Sequence, residues 1–116
     1  MPSNNPAQRL ADIVENVEAI KSFTSGFTFD TFRADRRTVY AVTRALEIIS
    51  EASRRLPAEF MCRHPEIDWP AVSAAGNVFR HEYDSVDETL VWHTALHDLD
   101  TLRVVVEAEL LRLQSL

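Results

Sequence analysis

The sequence predicts an all-α protein, an antiparallel bundle of four to five helices. Apolar residues recur at steps of three and four over most of the 116 residues, which is the period of an amphipathic helix. Only two glycines are present, whereas a β-rich fold needs many turns with positive φ. No repeat or linker divides the chain, so we expect a single domain over residues 1–116, with residues 1–6 as a frayed or disordered end or a lead-in to the first helix.

Composition and charge set limits on location and partners. The net charge of −6 repels nucleic acid and anionic membranes overall, so any RNA contact needs a local basic patch. The single Cys62 excludes an internal disulfide. No apolar run reaches the roughly 18 residues of a membrane span, and residues 1–6 lack the features of a signal peptide. We therefore expect a cytoplasmic protein without membrane contact.

The first helix is expected over residues 7–24, ended by Gly26 in the left-handed conformation. Its apolar stripe consists of Leu10, Ile13, Val14, Val17 and Ile20. Phe27, Phe29 and Phe32 follow, and we expect them to fold back on the core around a single turn opened by Asp30.

A second long helix is expected to begin after Asp35 or Ala34 and to stop at Pro57, which cannot continue it. Its stripe consists of Val39, Val42, Leu46, Ile49 and Leu56. Ser53 occupies a position at which this pattern favours an apolar residue.

Three further helices are predicted in the second half. Asp68 is a good N-cap for a helix with Pro70 in its first turn, which we expect to continue towards Tyr83. Ser85 and Glu88 form a capping box for the fourth helix. A bend at Asp98 or Asp100 precedes the fifth helix, whose stripe consists of Leu99, Leu102, Val105, Val106, Leu110 and Leu113.

The densest set of reactive side chains lies in Asn77-Val78-Phe79-Arg80-His81-Glu82-Tyr83. Histidine exchanges a proton near pH 7, and arginine holds a phosphate through two hydrogen bonds. On a helix, Arg80 and His81 lie about 100° apart and can flank one groove. This set suits phosphodiester chemistry without a metal, with His81 as acid or base and Arg80 on the developing charge. The alternative is a polar helix end, in which His81 caps carbonyls and Arg80 pairs with a neighbouring acid.

Other polar groups give weaker signals. His93 and His97 have the i, i+4 spacing of a zinc pair, but without an H-E-x-x-H pattern a solvated face is favoured. Cys62 has no orienting partner that would make it a reactive thiolate. Neither a metal nor another cofactor is predicted. Trp69 and Trp92 are expected to be core or interface anchors.

A group of arginines in the first half indicates either a basic RNA-facing patch or an ordinary solvated face with local ion pairs. The group consists of Arg33, Arg36, Arg37, Arg44, Arg54 and Arg55.

Five stretches follow one another in an ordered series between Phe32 and Trp92, within a resemblance to a known family that covers residues 8–112. They are Phe32-x-x-Asp35-Arg36-Arg37-Thr38, Ala45-Leu46-Glu47-Ile48-Ile49-Ser50-Glu51-Ala52, His64-Pro65-Glu66-Ile67-Asp68-Trp69, Asn77 to Tyr83, and Val86-Asp87-x-x-x-x-Val91-Trp92. In order and spacing the chain resembles the HepT-like family of HEPN-domain proteins, the toxin partners of MntA-type minimal nucleotidyltransferases.

The resemblance implies a homodimeric helical bundle with a polar motif facing the dimer cleft, and metal-independent endoribonuclease activity by 2′-hydroxyl attack on the adjacent phosphate. His81 falls on the motif histidine, Tyr83 on its tyrosine and Asn77 on its polar residue. The motif arginine falls on Gly76, which cannot hold a phosphate, so Arg80 is expected to replace it.

The resemblance also implies a type VII-like HEPN/MNT toxin–antitoxin pair. In such a pair the nucleotidyltransferase attaches AMP to the motif tyrosine, here Tyr83, and the bulky anion beside His81 blocks RNA. Two alternatives stay open. The Gly76 variant can be catalytically silent and serve as a binding partner of a nucleotidyltransferase, or the chain can be a plain structural dimer.

Overall fold

The computed structural model describes residues 5–73 and 88–115, and the regular structure within them is entirely helical. This confirms the predicted all-α class. The helices are α1 (Pro6–Thr24), α2 (Phe29–Ala34), α3 (Arg36–Arg54), α4 (Ala58–Arg63), the described part of α5 (69–73), α6 (Glu88–His97) and α7 (Leu99–Gln114).

The first helix follows the predicted bounds closely. The Asn5 side chain accepts a hydrogen bond from the Ala7 amide at 3.0 Å, and Pro6 occupies the first turn, where it needs no donor. Gly26 adopts a φ of 81°, the left-handed conformation predicted for it. The buried face of α1 packs along α3 and α7.

The aromatic connector forms α2, whose N-cap is Thr28 and not Asp30. The Thr28 and Thr31 side chains each bond the other's backbone amide, at 3.2 and 2.8 Å, and so close a capping box. Phe32 is fully buried, with its ring centroid 4.9 Å from that of Trp92. The prediction that these phenylalanines fold back on the core is therefore confirmed for Phe32.

The long helix α3 begins after Asp35, one of the two predicted starts, and its apolar stripe is buried. Ser53 is fully buried within that stripe, where its hydroxyl donates to the Ser50 carbonyl at 2.8 Å. The polar residue at this core position thus has a partner, as a buried hydroxyl requires.

A short helix that the sequence did not predict, α4, follows Pro57. Its Phe60 is buried and meets the Trp69 ring edge-on, with centroids 5.3 Å apart. Asp68 then caps α5, since its carboxylate accepts from the Ala71 amide at 3.2 Å. The predicted cap is confirmed, whereas the continuation towards Tyr83 and the Ser85–Glu88 capping box lie outside the described residues.

The last two helices meet at Asp98, one of the two predicted bends. Residues 104–106 are helical in spite of their β-branched side chains. Val91 and Ala95 of α6 and the stripe of α7 complete the core. None of the helices in the described ranges is long and apolar enough to cross a membrane.

Candidate functional site

The predicted site residues Asn77, Arg80, His81 and Tyr83 lie outside the described residues, as does Gly76. What the structure does describe is the framework on either side of them. Residue 73 belongs to α5, and the chain is described again from Glu88 in α6.

The start of α5 makes two capping hydrogen bonds of its own and one hydrogen bond to another helix. The side chain and the carbonyl of Asp68 accept from the Ala71 and Val72 amides, at 3.2 and 3.1 Å. The hydroxyl of Ser50, which is buried on α3, donates to the Ser73 carbonyl at 2.8 Å. The residues just before the candidate site are therefore anchored to the core helix α3.

A buried carboxylate ties the segment before α5 to the last helix. Glu109 of α7 is only 4% exposed. Arg63 donates to both of its oxygens, at 2.7 and 3.2 Å, and His64 Nε2 lies 2.9 Å from Oε2. The hydrogen bonds from Arg63 lower the pKa of Glu109 to about 2, although burial works in the opposite direction. Glu109 is therefore ionised at neutral pH, with its charge balanced inside the fold.

The Glu109 network continues into α5 through the backbone. The indole N–H of Trp69 donates to the His64 carbonyl at 3.0 Å, and Phe60 packs against both rings. The stretch His64 to Trp69, one of the five stretches of the family resemblance, thus anchors the start of α5 to α4 and α7. The buried position of Trp69 confirms that it is a core anchor.

Sequence reasoning missed Glu109, although a signal was present. It falls on the apolar stripe of α7, between Val105 and Leu113. An acid at a core position must find cationic partners, because an unpaired buried charge is very unfavourable. No pairing of Glu109 with Arg63 or His64 was predicted from the sequence.

The two histidines of α6 form a solvated face, as predicted. His93 and His97 are both exposed, with ring centroids 4.6 Å apart. Within residues 5–73 and 88–115, no group of three or more potential ligands could hold a metal ion.

A cleft of about 410 Å³ opens between α3, the start of α5 and the junction of α6 and α7. Apolar residues such as Leu46 and Ile67 form part of its wall, and the carboxylates of Glu66, Asp68 and Asp98 also line it. Three carboxylates disfavour a phosphate, so this cleft is a poor site for the RNA backbone.

The six arginines of the first half fall into different environments. Arg54 and Arg55 both bind Glu51, and the hydrogen bonds from Arg55 and then Arg54 lower the pKa of that carboxyl. Arg36 instead contacts Tyr40, which is half exposed. The solvated-face interpretation therefore holds for Arg54 and Arg55.

Comparison with known proteins identifies the family. The family model for ribonuclease HepT-like proteins matches residues 13–109. A protein of Thermococcus cleftensis named "Probable ribonuclease HepT" is 40% identical over 94 residues, covering 81% of this chain and 86% of the relative. Proteins named "Putative RNase" include one of Methanocaldococcus jannaschii, 33% identical over 84% of this chain and 80% of the relative. Another, of Caldanaerobacter subterraneus, is 30% identical over 88% and 91%.

No solved structure gives a significant match to the chain. The family model nevertheless spans most of the sequence, including the segment from Asn77 to Tyr83, and the resemblance seen in the sequence is confirmed. The chain therefore belongs to the ribonuclease HepT-like family.

Proposed function

We propose that this protein is a metal-independent endoribonuclease toxin whose active segment is Asn77 to Tyr83. The observation that carries the proposal is the match to the HepT-like ribonuclease family over residues 13–109, which includes that segment. The framework supports it as well, because the start of α5 is held by Asp68 and Ser50. Sites on well-anchored elements position reactive groups more precisely than sites on free loops.

In the proposed mechanism the nucleophile is supplied by the RNA. The 2′-hydroxyl attacks the adjacent phosphorus, the bond to the 5′-oxygen breaks, and a 2′,3′-cyclic phosphate and a 5′-hydroxyl result. His81 exchanges the protons of the attacking and leaving oxygens, and Arg80 binds the phosphate in place of an arginine at Gly76. Asn77 and Tyr83 position the substrate.

Metal independence can be tested with RNA cleavage in excess EDTA. The wild-type protein should cleave, and His81→Ala should lose at least 100-fold in rate, the usual contribution of general acid–base catalysis. His93→Ala is the matched control, because His93 is an exposed histidine of α6. Unchanged cleavage by His81→Ala would remove His81 from the mechanism.

We further propose that the protein is a cytoplasmic homodimer of single-domain chains, with RNA as substrate.

The proposed regulation is attachment of AMP to Tyr83 by an MntA-type nucleotidyltransferase in a toxin–antitoxin pair. The chain has two tyrosines, and Tyr40 is half exposed on α3, so it serves as an internal control. With ATP and the partner enzyme, wild type and Tyr40→Phe should gain the mass of AMP, whereas Tyr83→Phe should not. Modification of Tyr83→Phe would refute this assignment.

A second candidate function follows from Gly76. A chain without the motif arginine can have lost catalysis and act as a binding partner of a nucleotidyltransferase. This candidate predicts a stable complex with that enzyme and no RNA cleavage at any protein concentration. A mass measurement of the mixture, combined with the EDTA assay, separates it from the ribonuclease.

A further inference from the structure

The solvent face of α3 has two halves that differ in charge. Residues 36–46 contain three arginines and no acidic residue, whereas residues 47–55 contain two arginines and two glutamates. The three arginines of the first half give it a charge of +3, which Glu47, 3.8 Å from Arg44, partly offsets, in a protein of net charge −6. Such a patch is where an anion would meet an otherwise repulsive molecule.

Four side chains of the first half point the same way. At about 100° per residue, Arg36, Arg37, Tyr40 and Arg44 fall within an arc of about 100°, and all four are exposed. The buried stripe through Val42 lies on the other side of the helix. We call these four residues the α3 arginine surface.

Their contacts leave most of the cationic charge available. Arg44 has a side chain 71% exposed, and its Nη1 lies 3.8 Å from Glu47, beyond hydrogen-bonding distance. Arg36 donates to the Tyr40 hydroxyl at 3.0 Å, and its guanidinium lies 5.4 Å from the ring centroid. Arg54 and Arg55, in contrast, share the carboxylate of Glu51.

Tyr40 adds an aromatic surface to this charge. It is 52% exposed, and the hydrogen bond from Arg36 restrains its ring. Arginines that bind the backbone beside an aromatic ring that stacks on a base are the usual combination in proteins that bind single-stranded nucleic acid.

The composition of the surface favours RNA over a protein partner. Tyr40 is the one large exposed side chain of the α3 arginine surface that contributes apolar area. The other exposed large hydrophobic residues of the described ranges lie on other helices. These are Phe23, Leu90, Leu96, Val104 and Leu111. A protein interface would use an apolar centre, which this charged surface lacks.

We propose that the α3 arginine surface binds single-stranded RNA, with phosphates on Arg37 and Arg44 and a base stacked on Tyr40. The proposal rests on the proposed ribonuclease function, because it describes how that substrate is held outside the segment Asn77 to Tyr83.

Binding is tested with a fluorescently labelled oligouridine in a His81→Ala background, so that no cleavage interferes. Arg37→Gln/Arg44→Gln should weaken binding about tenfold at low salt. The slope of log K against log salt should fall by about 1.4, because each phosphate contact on a single strand contributes about 0.7. Tyr40→Ala should weaken binding to a similar degree without changing the slope, since stacking releases no counterions.

Arg54→Gln/Arg55→Gln is the matched control, with the same change of charge at the C-terminal end of the same helix. It should alter the affinity less than twofold. If the two double variants weaken binding equally, binding depends only on the overall charge of the protein and the proposal is overturned. Unchanged binding by Arg37→Gln/Arg44→Gln would also overturn it. A change in molecular mass of the assembly on Tyr40→Ala would also overturn it, by assigning the surface to a second copy or a protein partner.

Cleavage with native His81 separates this inference from the proposed function. If the enzyme cleaves RNA, Arg37→Gln/Arg44→Gln should raise KM more than it lowers kcat. If wild type cleaves RNA and the double variant has the same KM as wild type, the RNA-binding surface is refuted and the ribonuclease function is not. If RNA binding depends on the α3 arginine surface but wild type does not cleave RNA, the ribonuclease function is refuted and the RNA-binding surface is not.

Discussion

Two carboxylates in this molecule each form hydrogen bonds with two basic side chains, but in opposite environments. Glu51 lies on the solvent face of α3 and binds Arg54 and Arg55, three and four residues away. Glu109 is buried on α7 and binds Arg63 and His64, 46 and 45 residues away. The local chemistry is alike, whereas only the second carboxylate joins distant parts of the chain. Burial and separation along the sequence, not the number of ion pairs, should decide how much each contributes to stability.

The largest effect is expected from Glu109→Ala, which should lower the free energy of unfolding by about 3 kcal/mol. This is the lower end of the range for breaking a buried ion pair, because the Arg63 side chain is 37% exposed. Urea unfolding followed by circular dichroism measures it. Glu107→Ala, an exposed neighbour paired with Arg103, is the control and should cost less than about 0.5 kcal/mol. A loss below 1 kcal/mol for Glu109→Ala would remove the distinction between the two carboxylates.

Lowering the pH should have an intermediate effect on the stability of the fold. The pKa of Glu109 is about 2 in the folded protein and 4.5 ordinarily, so the folded state binds this proton less readily than the unfolded state. The carboxylate therefore stabilises the fold above about pH 4.5, and this contribution is lost as the pH falls towards 2. Melting temperatures between these values should fall more steeply for wild type than for Glu109→Gln. Parallel curves would show that another group governs acid unfolding.

The smallest effect is expected from Glu51→Gln. An exposed carboxylate that pairs within one helix contributes little, so the cost should be below about 0.5 kcal/mol and should shrink further in high salt. Thermal unfolding at low and high ionic strength is the measurement. A loss in the free energy of unfolding above 1 kcal/mol that does not depend on salt would mean that Glu51 also stabilises contacts outside its own helix.

The same contrast explains how much of the fold the sequence predicts. Several features that depend on near neighbours were predictable, including the cap at Asp68, the left-handed Gly26 and Asp35 as one of two starts of α3. The cap of α2 was predicted at Asp30 and lies at Thr28. The short helix α4 was missed, because six residues are too few to show a period. The Glu109 network was missed because no pattern in the sequence pairs residues 46 positions apart.

The candidate site was predictable from the sequence to a different extent than the fold. Its residues were named from side-chain chemistry and from the family resemblance, and the family is confirmed over residues 13–109. The roles of Arg80 and His81 stay predictions, since both lie outside the described residues. The framework that precedes them was predictable only at Asp68, because the bond from Ser50 to Ser73 depends on tertiary packing.

The span closed by Arg63 and Glu109 also matters for synthesis on the ribosome. Arg63 and His64 leave the ribosome before the segment Asn77 to Tyr83, and Glu109 follows only with the last helix. A chain that is cut short before α7 therefore carries the proposed reactive segment without the carboxylate that fixes the start of α5. Completion of the fold around the start of α5 therefore waits until the last helix has been made, because Glu109 is the partner of both Arg63 and His64.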